Sequence, residues 1–131
     1  MTVPPSLRRW FVVHFVADML FAVPLLLAPS AVLGLLGWSC VDPVATRLVG
    51  AALVAIGGQS VIGRDDDVTA FRAMLNLKIL WSLSAIGALA VALIGGAPPV
   101  VWGFLAIFVA FSSVWITYRI RLGHAVARRI P

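Results

Sequence analysis

Residues 71–94 read FRAMLNLKILWSLSAIGALAVALI, an apolar run in which Arg72 and Lys78 are the charged side chains. A helix rises 1.5 Å per residue and a hydrocarbon core is about 30 Å thick, so roughly 20 consecutive apolar residues make a crossing. Three further stretches of the same kind flank this one, at 7–28, 44–62 and 100–118. Lipid offers no partner to open backbone groups, so each crosses as a helix. The expected fold class is all-α: an integral membrane four-helix bundle, a single four-span domain filling residues 1–131.

Composition points the same way. Hydrophobic residues make up 62% of the chain, against about 45–50% in soluble domains, and the mean hydropathy is +1.06. The breaks between spans have chemical causes. Pro29, the Asp42-Pro43 pair, the charged run from Arg64 to Asp67, and Gly95-Gly96-Ala97-Pro98-Pro99 each interrupt the apolar pattern or the helical backbone.

Positive charge sets the orientation. With a cytoplasmic N-terminus, Arg8, Arg9, Arg64, Arg72, Lys78, Arg119, Arg121, Arg128 and Arg129 fall on or near the cytoplasmic side, leaving Arg47 toward the outside. That asymmetry places both termini in the cytoplasm, and the short loops and compact chain suggest a bacterial or archaeal cell, the protein being multi-pass in the cytoplasmic (inner) membrane. Trp10, Trp102, Trp115 and Tyr118 fall near span ends, where amphipathic rings suit the interface as anchors. Arg8-Arg9-Trp10-Phe11 loosely imitates a twin-arginine leader, but Asp18 interrupts the apolar region after it and the run is long enough to span. It reads as the first transmembrane helix.

Pro24 removes one backbone hydrogen bond late in that helix and crowds the carbonyl of Leu20, so a kink or an early end is expected there. The segment 29–38 is too short to cross and too apolar for a solvated loop; it opens with Pro29, with Gly37 near its end. It reads as a short interfacial helix in the first outer loop. Cys40, the single cysteine, rules out an internal disulfide and a thiolate metal cluster.

The candidate functional residues are polar groups at membrane depth. Asp18 lies eight residues beyond Trp10, or about 12 Å in, and Lys78 seven residues beyond Phe71, or about 10 Å. The two form a candidate ion pair. His14 precedes Asp18 by four residues and shares its helix face, and Arg72 and Asn76 repeat that spacing. Gln59 lies about one turn inside the cytoplasmic end of the second span. His14, Asp18, Gln59, Arg72, Asn76 and Lys78 together outline a polar vestibule facing the cytoplasm, a candidate ligand or proton site. Asp18 is too short to snorkel, so it is either protonated or paired with a cation; Lys78 can run its stem toward the headgroups instead.

Arg47 is the exception to the charge rule. It can pair with Asp42 or hold an outer-leaflet lipid phosphate. Asp65-Asp66-Asp67 lacks the spacing of a calcium loop and reads as a turn that caps the third span and pairs with Arg64 or Arg72. The basic tail after the fourth span suits anionic lipid better than nucleic acid. His14 and His124 have no motif that would mark them as haem ligands. No catalytic residue, metal site or cofactor is read from the sequence.

Residues Pro24-Leu25-Leu26-Leu27-Ala28-Pro29, the Leu-Leu-Gly at 35–37, and Arg47-Leu48-Val49-Gly50-Ala51-Ala52-Leu53 resemble a pattern of small uncharacterised bacterial four-span membrane proteins. The resemblance covers about the first half of the chain. It implies four helices with a short outer helix, and no catalytic residues. Asp18 is also similar by position to the first-span carboxylate of small multidrug-resistance transporters, and the size matches fluoride channels. The charge bias stands against the dual topology found in both families.

Three functions compete at this level. The first is a non-enzymatic binding or scaffolding bundle whose partners are the lipid bilayer and a membrane protein or a second copy, with no nucleic acid. The second is a small proton-linked carrier using Asp18. The third is a membrane enzyme acting on a lipid or quinone through His14 and Asp18.

Overall fold

The computed structural model describes residues 2–127; Arg128 and Arg129 of the basic tail lie outside the described residues. Five helices follow one another: α1 (Pro5–Leu27), α2 (Pro29–Leu35), α3 (Pro43–Ile62), α4 (Val68–Ile94) and α5 (Val100–Ala127). The fold class is all-α. Four of the helices, all but α2, are long and apolar enough to cross a membrane, so the chain is a multi-pass membrane protein.

Local sequence sets the helix ends. Asp42 caps α3, its carboxylate accepting from the backbone N–H groups of Val44 at 2.8 Å and Ala45 at 3.1 Å, with Pro43 placed where a missing N–H costs nothing. Asp67 caps α4 by accepting from Ala70 N–H at 2.9 Å, as expected for one member of the acidic run. Both α2 and α4 close in the same way. Gly37 and Gly96 take positive φ, and the next residues, Trp38 and Ala97, donate back to the carbonyls of Leu33 and Ala92, each at 3.0 Å. That six-residue closure needs a left-handed residue, which glycine supplies without a Cβ penalty.

Helix limits are close to the spans read from sequence. Of the kink or early end expected at Pro24, the early end is not seen: α1 runs on to Leu27, and Ala28 N–H donates to the Pro24 carbonyl at 2.9 Å. The expected fourth span stopped at residue 118, whereas α5 continues to Ala127. Hydropathy marks where lipid ends, and Arg and Leu are good helix formers in water as well.

The chain divides into two compact units. In one, α1 packs against α3, with α2 touching both. Leu7, Phe11, His14, Asp18 and Ala22 on α1 are buried, as are Thr46, Gly50, Leu53, Gly57 and Ser60 on α3, with Gly50 and Gly57 directly against α1. The α3 set alternates steps of four and three, which keeps a single stripe on one side of a helix. In the other unit, α4 packs against α5. Phe71, Met74, Leu75, Lys78 and Ser82 on α4 are buried, as are Val101, Ser112, Trp115, Tyr118 and Leu122 on α5. Leu20, Leu48, Leu80 and Val91 are among the large apolar side chains left exposed, as a lipid-facing surface requires.

Candidate functional site

The six candidate residues fall into two groups, each within its own helix pair. His14, Asp18 and Gln59 belong to the α1–α3 unit; Arg72, Asn76 and Lys78 belong to α4–α5.

In the first unit, the four-residue spacing does bring His14 and Asp18 together. Nδ1 of His14 stands 2.9 Å from Oδ2 of Asp18, both side chains about nine-tenths buried. Oδ2 is shut away from solvent yet receives no aligned hydrogen bond, so the contact is close without ideal donor geometry. Space for the carboxylate comes from Gly57 on α3: a Cβ there would stand 2.8 Å from Asp18 Oδ2 and 2.8 Å from its Cβ. Gly50 repeats the device two turns away, where a Cβ would meet Leu26 Cγ at 3.0 Å and the Ala22 carbonyl at 3.3 Å. Small residues thus let the backbones of α1 and α3 approach where the charged group is placed. Gln59 sits beside this stripe and is exposed.

The ends of the same helix pair are tied by arginines. Arg8 donates to the Arg64 carbonyl and lies 3.6 Å from Asp65, while Arg64 pairs with Asp65 at 3.3 Å. At the other end, Arg47 Nε donates to the Leu26 carbonyl at 3.1 Å. Of the two alternatives for Arg47, the pair with Asp42 is not made: Asp42 Oδ1 accepts at the cap of α3 while Arg47 turns to α1. A cation over the last carbonyls of α1 is favoured by the helix dipole, and the exposed guanidinium keeps its outer N–H groups available.

In the second unit, Lys78 is buried at 2% exposure, its Nζ 5.2 Å from the centroid of the Trp115 ring. Trp115 is itself fully buried and stacked on Phe111, centroids 5.7 Å apart and planes 15° from parallel. The expected interfacial role of Trp115 is therefore corrected: the ring faces a buried ammonium, where a cation–π contact partly replaces lost hydration. Tyr118 is also buried, with the Arg121 guanidinium 5.8 Å from its ring centroid. Trp10 and Trp102 are exposed, as anchors should be.

Asn76 is exposed, and its Oδ1 accepts from Arg119 Nε at 2.7 Å. Arg72, one turn earlier on α4, is half-buried, and its Nε is enclosed without a hydrogen-bond partner. Sequence reasoning did not connect Arg119 to this group, since 43 residues separate it from Asn76 and nothing local signals the bond. Among the described residues no group of three or more His, Cys, Asp or Glu side chains comes together as a metal site would require. The chain matches no known protein-family model, no curated protein and no solved structure.

Proposed function

We propose that this multi-pass protein is a non-enzymatic binding or scaffolding protein of the bacterial cytoplasmic membrane, with both termini in the cytoplasm and a membrane protein or a second copy as its partner. The observation that carries the reading is the enclosure of Asp18. The carboxylate lies 2.9 Å from His14, with the backbone of Gly57 against it, which leaves no space beside that oxygen for a substrate atom. General acid–base chemistry needs the base within about 2.6–3.2 Å of the proton it moves. The fit of the Asp18 side chain against Gly57 instead sets the register of α1 on α3, a use attested for buried polar groups. Gly58, Gly87 and Gly103 have open space where a Cβ would stand, the kind of surface on which a further helix can pack.

A second reading, a proton-linked carrier, is favoured by one observation: Asp18 Oδ2 is buried without an aligned hydrogen bond. A carboxyl group buried at membrane depth is what a proton carrier requires. Infrared difference spectroscopy of the protein in lipid, across roughly pH 5 to 9 and with Asp18→Asn as the control, separates the two. A carboxylate signal unchanged across the range is the result expected of a permanent clamp. A carboxyl band that titrates and vanishes in Asp18→Asn would overturn the scaffold reading in favour of the carrier.

A further inference from the structure

We propose that Arg72 and Arg119 form a binding site for a phosphate group on the α4–α5 helix pair, oriented by Asn76. This goes beyond the reading of Asp18 and does not depend on it.

Three observations converge on one end of this helix pair. Arg119 follows directly on the apolar stretch of α5, and Arg72 stands in the second turn of α4, so both guanidinium groups lie where the apolar spans give way to headgroups. Arg119 is held in place: its Nε is bonded to Asn76 Oδ1 at 2.7 Å, and its Nη1 lies 3.7 Å from where a Cβ at Gly123 would be. With Nε spent on the amide, the two terminal nitrogens remain as a fork, the geometry that suits paired phosphate oxygens. Arg72 lies four residues before Asn76 on the same face, and its Nε is buried with no hydrogen-bond partner.

Charge completes the case. Among the described residues neither Arg72 nor Arg119 has an acidic partner. The acids of this unit, Asp66 and Asp67, precede α4, and Asp67 is engaged as its cap. Two guanidinium groups at headgroup depth with no carboxylate between them call for an anion with several acceptor oxygens. A phospholipid headgroup supplies such a phosphodiester, and basic sites beside transmembrane helices hold anionic lipids in this way. Inorganic phosphate offers the same chemistry from solution.

The test uses the purified full chain in a neutral detergent, with native mass spectrometry counting retained phosphatidylglycerol against phosphatidylcholine. The wild type should retain phosphatidylglycerol preferentially, and Arg72→Gln and Arg119→Gln should each lower retention about tenfold, the scale of one charge-assisted contact. Asn76→Asp guards against a folding artefact: it keeps both arginines and places a carboxylate against Arg119, so it should hold thermal stability while losing the lipid. Arg121→Gln, two residues away on another face of α5, should retain lipid as the wild type does. Competition by millimolar inorganic phosphate would identify the bound species as a free anion, and its failure to compete would identify the headgroup. Equal retention by the wild type, Arg72→Gln and Asn76→Asp, or an equal loss in Arg121→Gln, would overturn the site.

Discussion

Gly57 of α3 stands so close to Asp18 of α1 that a Cβ at position 57 would lie 2.8 Å from both the Cβ and Oδ2 of the aspartate. Real side chains do not tolerate that distance. Gly57→Ala must therefore push the helices apart or displace the carboxylate from His14, and a loss of about 1–3 kcal/mol is expected, the usual scale of overpacking. Gly58→Ala is the control, since nothing lies within 4 Å of its would-be Cβ. It should be neutral or gain up to about 1 kcal/mol from helix propensity. Thermal unfolding in detergent of the two variants checks the contrast; equal effects would mean that the α1–α3 approach is not set by Gly57.

The His14–Asp18 contact should behave as a coupled pair. Removing either side chain leaves the other buried at membrane depth, so His14→Gln and Asp18→Asn should each destabilise, and the double variant should cost less than the sum. A coupling energy of about 1–3 kcal/mol is expected for groups in direct contact. Additive losses in the double-mutant cycle would show that the 2.9 Å approach carries no net interaction.

Trp115 and Lys78 give a parallel test on the other helix pair. Trp115→Leu removes the ring beneath Nζ, which lies 5.2 Å from its centroid, and also the stack on Phe111. A loss of about 3 kcal/mol is expected from a buried aromatic truncated in this way. In the Lys78→Met background the same change should cost about 1–2 kcal/mol less, the value of a desolvated cation–π contact. An undiminished cost in that background would assign the stabilisation to packing alone.

What was legible in the sequence follows from which forces act locally. Helix number and the cap supplied by the Asp65–Asp67 run could be read because hydropathy and capping are properties of neighbouring residues, whereas Asp42, read as a break and a partner for Arg47, proved to be the cap of α3. His14 and Asp18 could be placed together because i and i+4 share a face. The limits came where the partner is distant in sequence. Only packing distinguishes Gly50 and Gly57, which face α1, from Gly58, which faces open space. Trp115 reads as an interfacial ring because it stands near a span end, whereas Lys78 on another helix makes it a buried one. The bond from Arg119 to Asn76 likewise depends on the register of α5 against α4, which no periodicity in either helix reveals.

The orientation proposed from the arginine and lysine distribution can be tested with the chain's single cysteine. Cys40 is free and exposed, between α2 and α3, in the loop that the positive-inside argument places outside the cytoplasm. A membrane-impermeant maleimide applied to intact bacterial spheroplasts should label it. In a Cys40→Ser background, Ser6→Cys at the exposed start of α1 should be labelled only after the membrane is opened. The reverse pattern would invert the orientation and place Arg47, with the Leu26 carbonyl it caps, on the cytoplasmic side. Labelling of both positions in intact spheroplasts would mean that the chain inserts both ways. That result would remove the charge asymmetry as an argument and restore the comparison with dual-topology transporters, because the bias set by the arginines would then be too weak to fix one insertion.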